Sequence, residues 1–185
     1  MHFSGAIPAR TFAIPAGDGG VRATLRVMVK LARQYKAHPL IRELARAQVM
    51  GLGDDDARKS AALQEFIKAE VEYLSDVWNV ETLQTPVVTL GYREPGFGAY
   101  EPGGSAAGDC DDQSVALAAL LLAVGVPGCF TAIGLDGEPI SHVLVEARIR
   151  KREFVDYVPL ETIIPDAYPG WWPPGVTDYM FAHFD

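Results

Sequence analysis

The chain has 185 residues, 49% of them hydrophobic, enough for one domain with a single buried core. A net charge of -8 and the lack of any basic run exclude a nucleic-acid-binding stripe. Two cysteines cannot make the disulfide framework of a small secreted domain, and they fit a reducing, cytoplasmic setting.

Met1 to Pro15 has no basic segment followed by a long apolar run, so no signal peptide is expected there. Pro8, Pro15, Gly17, Gly19 and Gly20 make the first twenty residues an extended arm or short strand, Arg10 to Ile14, ending in a turn. Leu25, Met28, Val29 and Ala32 recur at helical spacing and predict a helix over Val21 to Tyr35. His38-Pro39 breaks it, because the residue before proline avoids the α region. A second helix is expected from Leu40 to Met50, stopped by Gly51 and Gly53. Asp54, Asp55 and Asp56 favour a third helix start, and the register of Leu63, Phe66, Ile67, Glu70 and Leu74 carries that helix to about Tyr73.

Val80 to Tyr100 is rich in proline and glycine and reads as a long connection with one short strand, Val87 to Leu90. The Gly- and Pro-rich stretch Gly91 to Ala107 could cover or gate a cleft. Next comes Gly108-Asp109-Cys110-Asp111-Asp112-Gln113-Ser114, followed by the apolar run from Val115. Asp109 is a good N-cap and Asp112 the acidic partner of a capping box, which puts Cys110 at the first helical position. There the positive end of the helix dipole favours a thiolate, while the three flanking carboxylates oppose it. A reactive Cys110 therefore needs a cationic partner. The helix should end near Val124, with Gly125 after it and Pro127 preventing continuation. The run Val115 to Val126 is too short to span a bilayer, so no membrane partner is expected.

Three strand-like runs follow: Gly128 to Leu135, Ile140 to Ile149 and Arg152 to Val158, with Asp136-Gly137 as a hairpin turn. The tail, with Trp171, Trp172 and several prolines, is expected to pack over the core or over a site without regular structure. Trp171 and Trp172 could line a cleft, but packing serves equally well. His142 leads the second strand run and Asp156 lies on the third, so adjacent antiparallel strands could bring them together on one face. Cys110 as nucleophile, His142 as base and Asp156 as orienting acid would form a thiol-based triad. Cys129 opens a β run and reads as buried packing. Asp109, Asp111 and Asp112 read as helix-start acids. A divalent cation held by their oxygens is the alternative, but no calcium-loop spacing supports it.

The Gly-x-Cys-Asp-Asp helix start, the Ala- and Leu-rich helix ending in Gly-Val-Pro, a histidine leading an apolar strand and an Asp on the next strand resemble the transglutaminase-like superfamily. The segment Glu81 to Pro86 is similar to its bacterial and phage-encoded branch. The resemblance covers roughly residues 60 to 160. It implies an α+β domain with a papain-like core, the Cys110 helix packed on an antiparallel sheet. It also implies acyl transfer on a protein or peptide substrate through a thioester, with water or an amine as acceptor. The backbone N–H of Cys110, with Gln84 as a side-chain candidate, would form the oxyanion hole. No cofactor or metal is implied, and the oligomeric state is left open. Residues 1–185 are read as one domain: a helical part to about 79, a catalytic core over about 80–160, and a tail over 161–185. A phage-encoded chain would reside in the host cytoplasm or in the virion. Some members of the superfamily are inactive, so a structural or assembly module is the competing reading. A metal-dependent hydrolase is the third.

Overall fold

The computed structural model describes residues 15–76, 82–92 and 104–185. In chain order the elements are α1 (Asp18–Tyr35), α2 (Pro39–Gln48), α3 (Asp56–Glu70), β1 (Glu72–Tyr73), α4 (Pro86–Thr89), β2 (Ala107–Gly108), α5 (Cys110–Ala123), β3 (Gly128–Leu135), β4 (His142–Arg150), β5 (Val155–Leu160) and β6 (Val176–His183). The fold is α+β, as the sequence implies. Helices cover one face of a four-stranded antiparallel sheet of order β5-β4-β3-β6.

The sheet and helices are arranged around α5. Every residue from Asp111 to Leu121 is buried, and α1, α2, α3, α4 and β4 all pack against it. A helix that is apolar on every face must be enclosed, and α5 is polar only in its first turn. Asp109 caps it, its carboxylate accepting from the Asp112 N–H at 3.3 Å. Gly125, at φ +83°, follows the last turn as the glycine stop anticipated there. The inward residues of the sheet (Phe130, Ala132, Val143, Val145, Ala147, Leu160) alternate along the strands and close the core against α5.

Three local expectations fail. The third helix stops at Glu70, and Val71 (φ −108°, ψ 115°) is already extended. Glu72 and Tyr73 then pair in parallel with Ala107 and Gly108, the Glu72 N–H donating to Ala106 O at 2.9 Å. Pairing with the chain that leads into Cys110 thus overrides a helical periodicity. Val87 to Leu90, expected as a strand, lies in a single helical turn over Pro86–Thr89. Proline suits a first helical position because its fixed φ is helical and its missing N–H would have no partner. The tail is not irregular throughout: Val176–His183 pairs with β3 and forms one edge of the sheet. Phe184 just after it is fully buried, its ring 5.0 Å from that of Phe130. The expected arm Arg10 to Ile14 lies outside the described residues, as do 77–81 and 93–103, which include Glu81 and most of the Gly91 to Ala107 stretch.

Gly128 starts β3 where two elements press together. A Cβ there would collide with the Glu146 carbonyl oxygen and sit 2.9 Å from Phe184 Cζ. Gly128→Ala should therefore lower unfolding free energy by about 3 kcal/mol, the upper part of the usual overpacking range. Urea denaturation checks this, and an unchanged midpoint would mean that β3 and β4 do not approach there.

Candidate functional site

Cys110 is the first residue of α5, half-buried and outside any disulfide. The parallel β1–β2 pair holds the chain just ahead of it, so its approach is fixed by Glu72 and Leu74 backbone bonds to Ala106 and Gly108. Tyr73, on β1, lies within the field of the thiol. Its hydroxyl pKa is raised by partial burial and then by the negative charges of Cys110, Asp109, Asp111 and Asp76. One turn along α5 from Cys110, the Ser114 hydroxyl donates to the Val143 carbonyl at 3.3 Å. Residues four apart share a helix face about 6 Å along the axis. That bond therefore brings the start of α5 to the start of β4, where His142 precedes Val143.

His142 Nε2 lies 2.7 Å from Glu161 Oε2. The Glu161 side chain is 1% exposed and that of His142 is 14% exposed. Burial alone would raise the Glu161 pKa. The His142 hydrogen bond and charge, with the Ile163 and Thr162 N–H groups, outweigh burial and hold it below the ordinary carboxylate value. The second carboxylate oxygen accepts from Ile163 N at 2.8 Å. The backbone is pinned too: buried Gln64 on α3 donates from Nε2 to the Glu161 carbonyl at 2.7 Å. An ionised acceptor at Nε2 places the ring hydrogen there and leaves the lone pair of neutral imidazole on Nδ1.

Asp156 is not brought to His142. It faces Ile149 in the β4–β5 ladder, seven residues along β4 from His142, or about 24 Å at ~3.4 Å per residue. Its carboxylate pairs instead with Lys151 at 2.6 Å, at the exposed hairpin end. The partner of His142 is Glu161, a residue that sequence reasoning passed over. Register arithmetic could have found it. The ladder begins at Val145 opposite Leu160, so its continuation sets His142 level with Ile163, and an acid near 161–163 is within reach.

Gln84 is also placed differently from its expected role. Its side-chain amide donates to Asp112 Oδ2 at 2.8 Å and to Ala107 O at 3.3 Å, and its backbone N–H donates to Asp112 Oδ1 at 2.6 Å. Both amide hydrogens are thus engaged, and Gln84 serves as a brace for Asp112. By the same contacts, the Asp112 carboxylate turns to Gln84 rather than back to the cap. Its pKa is pushed up to about 7, because burial and the charges of Asp109 and Asp76 outweigh the two Gln84 bonds. Oxygens of Asp109, Asp111 and Asp112 lie within 4.8 Å of one another, a spacing that a cation could bridge. Asp109 and Asp112 already have the protein partners just named. Cys129 is buried, and burial drives its thiol pKa up to about 11, in line with packing.

A cavity of about 380 Å³ opens by the first turn of α5. It is walled by the end of α3, Tyr73, Gln113 of α5, and the Thr162–Pro165 segment that follows Glu161. Trp171 and Trp172 are not among its lining residues.

Asp112 makes a pH-dependent contribution of defined sign. The folded state holds this proton up to about pH 7, whereas an unhindered aspartate releases it near 3.8. Between those values the folded state binds the extra proton, so stability falls as pH rises and is level above the window. Asp112→Asn should remove that fall. Denaturation midpoints of both proteins at several pH values from 4 to 8 check it, and parallel curves would show that Asp112 ionises normally.

Comparison with known proteins supports the fold. No protein-family model matches the sequence, and no curated protein matches it. Among solved structures, a protein from Cytophaga hutchinsonii provisionally named a cysteine protease superposes with a TM-score of 0.50 at 16% identity, over 87% of this chain and 56% of that one. A protein from Parabacteroides distasonis provisionally named a protease superposes with a TM-score of 0.49 at 13% identity, over 76% of this chain and 29% of that one. The chain thus spans about half or less of the length of these two structures. The Cytophaga likeness places the chain with a cysteine-protease-like fold. Among the described residues, no helix is long and apolar enough to cross a membrane.

Proposed function

We propose that the chain catalyses acyl transfer from an amide through a thioester on Cys110, as in the transglutaminase-like superfamily, with His142 as base and Glu161 as orienting acid. The single observation carrying this reading is the buried His142–Glu161 hydrogen bond, formed at the end of β4 that Ser114 ties to the Cys110 helix. Asp156 has no part in it.

In the first step His142 Nδ1 takes the thiol proton, and Sγ bonds to the amide carbonyl carbon. The backbone N–H of Cys110, at the helix start, donates to the oxygen on which charge builds. Collapse breaks the C–N bond, and Nδ1 returns the proton to the leaving amine. In the second step Nδ1 takes a proton from water or an amine as it attacks the thioester. The C–S bond then breaks and the sulfur is reprotonated. Glu161 stays ionised throughout. It fixes the imidazole tautomer and stabilises the imidazolium that forms twice per turnover. Water as acceptor gives hydrolysis, and a lysine amine gives crosslinking.

A specific observation favours the competing reading, a non-catalytic assembly module. Asp109 and Asp111 set negative charge around the start of α5, and Asp112 adds to it as pH rises through about 7; Asp111 and Asp112 are buried. Alkylation separates the readings. In the enzyme, iodoacetamide modifies Cys110 near pH 6.5 at least tenfold faster than a free thiol of pKa about 8.5, and His142→Ala abolishes the excess. Slow alkylation, equal in both proteins, would leave only the scaffold.

The triad members are told apart by a pair of conservative changes. Glu161→Gln should lower the turnover of an amide substrate by about 10²–10⁴, the range for disabling a general base. Asp156→Asn should leave it unchanged. A loss confined to Asp156→Asn would restore the acid expected from sequence.

A further inference from the structure

We propose that the cavity between the end of α3, the first turn of α5 and the segment after Glu161 is a recognition pocket for a carboxylate-bearing amino-acid residue of the substrate, with Lys68 as its counter-ion. The inference rests on the acyl-transfer reading for its purpose, although binding to the pocket is measurable without it. Thr162 and Ile163 continue directly from Glu161, Gln113 lies three residues from Cys110, and Tyr73 lies within the field of the thiol. The Tyr73 and Gln113 end of the cavity is therefore the end toward the start of α5, where Cys110 lies. A volume of about 380 Å³ falls within the size range of small-molecule sites and suits a group of one or two residues.

The lining has polarity and direction. Lys68, its side chain only 12% exposed, donates from Nζ to the Ala167 carbonyl at 2.6 Å and lies 3.4 Å from Glu65 Oε1. An ammonium carries three N–H groups, so these two contacts leave one for a ligand. Glu65 also lines the cavity, but its side chain is 64% exposed, and so long and wet an ion pair neutralises little of the Lys68 charge. Ala69, Val71, Ile163 and Pro165 supply apolar wall between Lys68 and Tyr73. Gln113, 1% exposed, donates from Nε2 to the Gly108 carbonyl at 3.2 Å, and its Oε1 has no hydrogen-bond partner. It offers an acceptor to an N–H.

At the other end, burial first and then the negative charges of Cys110, Asp109, Asp111 and Asp76 raise the Tyr73 pKa, and charges so placed disfavour a further anion there. A ligand with a carboxylate is thereby oriented with its anion at Lys68 and its amide toward the thiol. A short aliphatic unit with an amide at one end and a carboxylate at the other matches this lining. A chain-terminal residue or an acidic side chain has that form.

The test uses the full chain carrying Cys110→Ala, so that binding is read without turnover. N-acetyl-alanyl-alanine and its C-terminal amide are titrated calorimetrically. The free acid should bind at least tenfold tighter than the amide. Lys68→Met should abolish the difference, and Lys68→Arg, which keeps the charge, should retain most of it. Melting temperatures of the variants identify a Lys68 change that merely unfolds the region, in which case the Arg variant carries the comparison. Equal binding of acid and amide, a preference that survives Lys68→Met, or no binding of either at millimolar concentration overturns the pocket assignment. Because Cys110 alkylation is measured separately, failure of the pocket and failure of the thiol mechanism give different results.

Discussion

A carboxylate with 1% of its side chain exposed keeps its charge only where the protein replaces the water it has lost, and Glu161 is such a group. Its replacements come from separate parts of the fold. His142 opens β4, and the Ile163 and Thr162 N–H groups belong to the turn after β5. Gln64, from α3, fixes the backbone that carries the acid. Each contact requires the β4–β5 register and the seating of α3 to be right. Most of what positions the candidate site can therefore be read as support for this one ion. Removing a partner would leave a buried charge uncompensated, which is far more damaging than removing a surface ion pair such as Lys151–Asp156.

Glu161, beside the imidazole, and Asp112, two residues after Cys110, are both buried carboxylates, and their environments drive them in opposite directions. Glu161 gains a histidine and two backbone donors and is held ionised. Asp112 gains only Gln84, faces other acids, and is driven towards its neutral form. The division suits thiol chemistry. An ionised acid behind the imidazole stabilises imidazolium, and a protonated acid in the first turn of α5 removes one of the charges opposing a thiolate. The consequences for the fold also oppose each other. Stability from Glu161 is present above the ordinary carboxylate range and is lost as pH falls through its lowered value. The cost of Asp112 grows as pH rises toward 7.

The legible parts of the chain were those in which one local rule acted without competition. The Asp109 cap, the apolar run after Cys110 and the Gly125 stop define α5 nearly to the residue. The Asp136-Gly137 turn sets β3 against β4: both residues have positive φ, 53° and 83°. His142 at the head of an apolar strand was legible for the same reason. The misreadings lie where a distant partner decides. Glu72 and Tyr73 leave a helical pattern because the strand leading to Cys110 supplies hydrogen bonds. Val176–His183 becomes an edge strand because β3 has an unpaired side. The acid beside His142 was misplaced by treating nearness in sequence as nearness in space. Asp156 is close to the β4–β5 turn, so it lies opposite the far end of β4. A partner of His142 must be as far beyond that turn as His142 is before it.

The same geometry sets the candidate site and the cavity on shared segments of the chain. After Leu160 the chain places Glu161 behind His142 and then runs through Thr162 and Ile163 along the cavity wall. The helix α5 carries Cys110 at its first position and Gln113 three residues on, and β1, directly after α3, adds Tyr73 to the cavity. Two segments thus each contribute one group to the candidate site and another to the cavity, so a shift in either would disturb both. The early end of α3 and the strand that replaces its last turn bear on the same region. A helix continued to Tyr73 would withdraw the β1–β2 bonds that hold the approach to Cys110.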